Sequence, residues 1–268
     1  MNKVAIFSVP RSGSSWLGQI FNSHPEVVFR FQPNFAYSFN YQLTEDSSEK
    51  DIYEFYQGLI NTNDAFVKGE ITISSKKGVS FNKEEARAIV FKETHFINVI
   101  TNLIRKSDTK VIGLIRSPFA VINSWIKIPK EFDFSWSVKD EWRKAELKNK
   151  GKKAYYFGYE KWKEAAFLFL ELKKNRPRQF YLVNYDSLLT DKDTVVKDVF
   201  HFCNLEMRSQ TLEFLNKSSK KNEEDAYSVF KKKMKDDDWR KELPQSIIEE
   251  IEADDDFKRL NKIFKWIS

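Results

Sequence analysis

The apolar run Val4-Ala5-Ile6-Phe7-Ser8-Val9 leads straight into Pro10-Arg11-Ser12-Gly13-Ser14-Ser15-Trp16-Leu17, and no other stretch constrains the fold as tightly. The run has the length of a buried strand. Behind it, Trp16, Leu17, Ile20 and Phe21 recur at helical spacing until Pro25 ends the pattern. The segment reads as strand, tight turn and helix, the opening unit of an α/β chain whose central, mostly parallel sheet is flanked by helices. Gly13 allows the turn, and the first amides of the following helix have no intrahelical partners, so they are oriented to bind an anion. Ser12, Ser14 and Ser15 add hydroxyl donors, and Arg11 adds a permanent charge that holds phosphate or sulfonate oxygens in a planar fork. A nucleotide phosphate is the natural guest, although the segment alone also fits an ordinary connection with a solvated arginine.

A second run, Lys110-Val111-Ile112-Gly113-Leu114-Ile115-Arg116, reads as another buried strand, and Ser117-Pro118 opens a helix through Ala120, Val121, Ser124 and Trp125. Arg116 leaves the carboxyl end of that strand and Ser124 lies on the helix, so the two can pinch one anion at the edge where open α/β sheets bind ligands. Alone, Arg116 fits a surface ion pair and Ser124 a helix serine bonded one turn back. A Walker loop needs Gly-x-x-x-x-Gly-Lys-Ser/Thr, and here Gly13 is followed by Ser-Ser-Trp with the charge before the glycine.

Together the two segments resemble those of the sulfotransferases. Their loop for the 5′-phosphosulfate end usually reads Pro-Lys/Arg-Ser-Gly-Thr/Ser-Thr/Ser-Trp-Leu, and an Arg-x-Pro pattern followed by Ser holds the 3′-phosphate. The resemblance implies a fold like that of the P-loop-containing nucleoside triphosphate hydrolases, in one sulfotransferase domain over residues 1–268. It implies sulfuryl transfer from PAPS (3′-phosphoadenosine 5′-phosphosulfate) to an acceptor hydroxyl, with PAP as product and no metal. Arg11, Ser12, Gly13, Ser14, Ser15 and Trp16 would then bind the 5′ end, Arg116 and Ser124 the 3′-phosphate, and Arg11 would also stabilise charge on the departing nucleotide. Phe180-Tyr181-Leu182-Val183-Asn184-Tyr185-Asp186 resembles a later family strand, Leu188-Leu189-Thr190-Asp191 the start of the next helix, and Phe202-Cys203-Asn204-Leu205 its ending. Thr190 with Asp193 approximates a capping box. Trp239-Arg240-x-x-Leu243 resembles a C-terminal element.

Ala88-Ile89-Val90-Phe91 reads as a strand that delivers Lys92-Glu93-Thr94-His95 to the same edge. Sulfuryl transfer needs a group that takes the acceptor's proton, and His95 can do so near neutral pH. It resembles the histidine of the family's Lys-Thr-His segment, with the lysine one residue further away. Glu93 competes for the role, and Lys92 is a reserve cation beside Arg11. If the segment is extended, Glu93 and His95 share a face and can act as base and orienting partner, with Lys92 on the other. Some carbohydrate-type relatives carry a glutamate after the first helix where this chain has Gln32, which cannot act as a base. Around it Phe29, Phe31, Phe35, Tyr37, Phe39 and Tyr41 alternate, as in a half-buried strand face or an aromatic wall beside the acceptor, the former favoured.

The length, 268 residues, is enough for one full core, and the formal charge of +6 suits an anionic ligand or only solubility. Basic residues are dispersed among acids, so nucleic acid is not an expected partner. Cys203 is the only cysteine, which excludes an internal disulfide and fits a reducing compartment. With no apolar stretch of membrane-spanning length, a cytoplasmic protein is the expectation. Residues 127–153 mix Phe134, Trp136 and Trp142 with charges, as in a cap over the acceptor or an amphipathic helix. Trp162, Ala165, Ala166, Phe169 and Leu170 make a helical stripe. Residues 217–238 read as an exposed, mobile loop, whose Lys231, Lys232 and Lys233 can reach a nucleotide or simply be solvated. The acceptor leans to carbohydrate by resemblance, with a lipid or small alcohol as the other possibility. A P-loop-type kinase and a non-catalytic nucleotide-binding scaffold are the competing functions, and the sequence leaves the oligomeric state open.

Overall fold

The computed structural model of the chain describes residues 1–71, 80–218 and 235–267. Its centre is a five-stranded sheet in the order β2-β3-β1-β4-β5. The strands are β1 (Asn2–Phe7), β2 (Val27–Phe31), β3 (Ala88–Glu93), β4 (Lys110–Ile115) and β5 (Phe180–Asn184), and every pairing is parallel. The Phe7 position is level with Glu93 on one side and Gly113 on the other, so β1, β3 and β4 deliver their following loops to one edge.

The sheet's two faces follow from strand alternation. Ala5, Phe7, Ile89, Phe91 and Val111 enter one core, which is covered by helices including Pro118–Ile126 and Tyr159–Asn175. Val4, Ile6, Ala88, Val90, Ile112 and Leu114 enter the other, beneath α1 (Ser14–Ser23) and the helices Lys192–Phe202 and Ser209–Ser218. Burying each large side chain of this kind contributes about 1.5–3 kcal/mol, which fixes the register of the strands against slippage.

Several boundaries differ from the sequence reading. β1 ends at Phe7, so Ser8 and Val9 belong to the loop. The aromatic alternation supports a strand only as far as Phe31. Gln32 has a left-handed backbone (φ 42°), Pro33 follows without a donor, and the chain forms turns over Pro33–Phe35 and Tyr37–Phe39. Thr190 ends the helix Tyr185–Thr190, and the cap of Lys192–Phe202 is Asp191, whose side chain accepts from Thr194 N. In the helix Tyr159–Asn175 the buried stripe runs through Leu172, with Leu170 at its margin. The segment 127–153 splits: Trp142 is buried in the core, whereas Phe134 is exposed. The expected loop 217–238 is described only at its ends, where Ser218 closes one helix and Asp238 precedes Trp239–Glu242; Lys231, Lys232 and Lys233 lie outside the described residues. Among the described residues no helix is long and apolar enough to cross a membrane.

Candidate functional site

At the carboxyl edge of β1 the chain passes through two left-handed residues, Arg11 (φ 67°) and Gly13 (φ 90°). Position 13 requires glycine twice over, because a Cβ there would lie 2.4 Å from Tyr185 Cε2. Trp16 N and Leu17 N donate to Gly13 O at 3.0 and 3.3 Å, which places the amides of Ser14 and Ser15 in the first turn, ahead of the helical ladder. Ser12, Ser14 and the neighbouring Ser8 and Ser117 are buried at this edge. Among the described residues, Ser8 Oγ, Ser12 Oγ and Ser117 Oγ have no hydrogen-bond partner, so the edge holds buried hydroxyls suited to polar ligand atoms. Ser15 is half-buried. Trp16 uses its indole N–H on Ser218 Oγ (3.1 Å) and sets its ring edge against Tyr185, so its side chain pins the helix behind the loop.

The structure brings Arg11, Arg116 and Ser124 together. Arg11 Nε donates to Ser124 Oγ at 3.2 Å, its Nη1 lies 3.4 Å from Glu131 Oε1, and its carbonyl accepts from Arg116 Nη1 at 2.6 Å. Arg116 also donates from Nε and Nη2 to the two oxygens of Asp236, both at 2.6 Å, and its guanidinium lies 4.8 Å from the Tyr185 ring centroid. Burial works against the Arg116 charge, but the bonds and charge of Asp236 raise its pKa above the ordinary arginine value. Trp162 Nε1 holds the Arg116 carbonyl at 3.0 Å and so fixes where the strand ends.

Beside this cationic end, β3 stops at Glu93 and the chain bends through Thr94 and His95. That bend separates two side chains the extended reading placed on one face. Glu93 Oε1 accepts from Asn34 N at 2.7 Å, and Glu93 and His95 share no hydrogen bond. His95 instead lies in an aromatic cage: Phe35 stacks on it at 4.9 Å and 17°, and Tyr155 and Phe157 meet it edge-on at 4.8 and 5.8 Å. Thr94 Oγ1 faces His95 Nδ1 at 3.4 Å and accepts from Gln32 Nε2 at 2.5 Å. Lys92 lies on the opposite face, its Nζ 4.5 Å from the Phe31 ring centroid.

Burial dominates the titration of all three. It lowers His95 to about 3, reinforced by Lys92 and Lys148, so the imidazole is neutral at pH 7. It raises Glu93 to about 8 against the pull of the Asn34 and Phe35 amides and Lys92, so that carboxyl is largely protonated. It lowers Lys92 to about 8, with Glu93 and Glu131 opposing. At neutral pH the histidine is therefore the one of the three that is mostly unprotonated.

The sequence reading missed Glu131, Asp236 and the cage of Phe35, Tyr155 and Phe157. Asp236 lies three positions before Trp239 of the recognised C-terminal element, a signal within reach. Glu131 and the cage rings carry no pattern of their own and meet the site only through folding.

Residues 1–262 match the sulfotransferase domain family. No curated protein matches the sequence. Among solved structures, the chain is similar to the sulfotransferase domain of the Synechococcus PCC 7002 olefin synthase at 16% identity and a TM-score of 0.54, over 100% of this chain and 96% of that one. A mouse sulfotransferase, SULT7A1, complexed with PAP, is similar at 14% identity and a TM-score of 0.57, over 98% and 89% of the two chains. A retinol dehydratase in complex with androsterone and PAP shows 15% identity and a TM-score of 0.53, over 97% and 80%.

Proposed function

The chain belongs to the sulfotransferase family, and from that premise we propose that it transfers the sulfuryl group of PAPS to a hydroxyl on a carbohydrate. The observation that carries the proposal is the convergence of Arg11, Arg116 and Ser124 at the sheet edge that also holds His95. The loop amides, the Ser12 hydroxyl and Arg11 would hold the 5′ end, and Arg116 with Ser124 the 3′-phosphate. Bound there, PAPS supplies an activated sulfuryl group and a nucleotide leaving group.

The remaining work falls to this chain's own residues. His95 takes the acceptor proton on Nε2, which requires its own hydrogen to sit on Nδ1. Thr94 Oγ1 supports this tautomer when it accepts from Nδ1–H across their 3.4 Å contact. The Phe35 face then lies against the imidazolium as it forms, a favourable cation–π arrangement. Glu93, protonated and bonded to the Asn34 amide, holds the turn that carries Phe35. Arg11 meets negative charge growing at the departing phosphate.

Aromatic rings and cations share the acceptor side, which supports a sugar: Phe35 and Tyr41 are exposed, and Lys148 and Lys152 lie over the Phe157 and Tyr155 rings. A steroid-like alcohol is the second reading, favoured by the ring cage and by the androsterone in the retinol dehydratase complex. A cytoplasmic setting is part of the proposal, supported by the single, buried, unpaired Cys203. The test is to incubate the protein with PAPS and matched panels of saccharides and steroid alcohols, reading PAP release and a one-sulfuryl mass gain. We expect gain on a saccharide, with PAP raising the melting temperature without magnesium and ATP doing so less. Gain only on steroids overturns the acceptor. Equal stabilisation by ATP-magnesium favours a kinase, and PAP binding without turnover favours a scaffold.

A further inference from the structure

Both arginines given to the donor's anionic ends are closed on carboxylates of this same chain. Arg116 presents its Nε and Nη2 edge to Asp236 at 2.6 Å on each oxygen, the forked arrangement a guanidinium also offers a phosphate. The side chains are 12% and 2% exposed, so salt screens the pair little. Arg11 Nη1 meets Glu131 Oε1 at 3.4 Å.

The two acids are held in place by the same device. The backbone carbonyl of Asp236 accepts the indole N–H of Trp239 at 3.0 Å, and that ring stacks on Phe119 at 4.3 Å. The backbone carbonyl of Glu131 accepts the indole N–H of Trp125 at 3.1 Å, and Trp125 is buried. Each carboxylate is thus presented to its arginine from an anchored stretch of backbone.

We propose that Asp236 and Glu131 are internal stand-ins for phosphate, which set the affinity for donor and product by competing with the nucleotide for Arg116 and Arg11. The inference rests on the proposed use of those arginines. A phosphate that engages the same guanidinium edges has to displace a carboxylate, so the gain from each new charged bond is offset by one already made. A nucleotide phosphorylated at both ends displaces both acids, whereas one lacking the 3′-phosphate leaves Asp236 seated. Weaker product retention follows, because each carboxylate is tethered beside the arginine that PAP leaves.

Acids that only orient the arginines predict the opposite sign, since their removal would then weaken anion binding. The experiment measures PAP and adenosine 5′-monophosphate affinities by calorimetry on the full chain and on Asp236→Asn, Glu131→Gln and Trp239→Phe. We expect Asp236→Asn to tighten PAP about tenfold and leave the monophosphate within about twofold. Glu131→Gln should tighten both ligands by a similar, smaller factor. Trp239→Phe keeps the carboxylate and loosens its anchor, so it should tighten PAP if Asp236→Asn does not fold. PAP binding in the unaltered chain that is unchanged or weakened by these substitutions overturns this inference alone. An unaltered chain that binds neither nucleotide overturns the donor reading beneath it.

Discussion

The two ends of the candidate site are built on different principles. The proposed donor end is mostly backbone and short range: a loop between Phe7 and Ser14 that carries Arg11, two left-handed residues and the first turn of α1, joined by Arg116 directly after β4. The proposed acceptor end is assembled from distance. His95 meets Phe35 from one segment and Tyr155 and Phe157 from another, and its Thr94 partner bonds to Gln32. A site that binds charge can be specified by a strand end and a helix start, because unpaired amides and an arginine fork are local properties. A site that sets the protonation of one imidazole needs an enclosure, and only the folded chain supplies it.

If the two ends are separable, the largest effect should appear on one side only. His95→Gln should lower kcat by roughly a thousandfold while PAP affinity stays within about twofold. A parallel loss of PAP binding would break the separation. Arg116→Ala should weaken PAP about a hundredfold and 5′-monophosphate far less, read by calorimetry. Because the buried Asp236 carboxylate would then lose the two guanidinium bonds it accepts, the melting temperature should fall as well.

The acceptor end also has a pH signature with two opposed parts. His95 titrates at about 3 in the fold, below the ordinary histidine value of 6.5, so its contribution is present above pH 6.5 and is lost as the pH falls towards 3. Between pH 7 and pH 5 that loss is about 2 kcal/mol. Glu93 titrates at about 8, above the ordinary glutamate value of 4.5, so its contribution is present below pH 4.5 and is lost as the pH rises through 8. Relative to the unaltered chain, Glu93→Gln should lose thermal stability on acidification from pH 7 to 5, and His95→Phe should gain it. Melting curves with the same slope for all three proteins would sink this account. The smallest effect sharpens the comparison: Thr94→Val removes the hydroxyl beside Nδ1 and should lower kcat about tenfold with KM for PAPS unchanged.

The legibility of the chain follows the same division. The parallel α/β architecture, the strand starts at positions 88, 110 and 180 and the helix beginning at Pro118 could all be read from apolar runs and turn residues. The run from Phe29 to Tyr41 could not. Its alternation has the period of a strand, yet Gln32 and Pro33 break the backbone into turns, which frees Phe35 to lie over His95. The expected pairing of Glu93 with His95 failed for a related reason, since period-two reasoning holds only while the strand continues. Asp236 and Arg116 are separated by 120 positions, and nothing in local pattern joins them.

Tyr185 gives the donor end one further property. Its ring packs where a side chain on Gly13 would go, and the same ring lies under the Arg116 guanidinium. One phenol thus serves as a common support for the loop and the guanidinium, which also meet each other directly through the Arg11 carbonyl. Shrinking that ring would therefore unsettle the turn at Gly13 and the position of the guanidinium together.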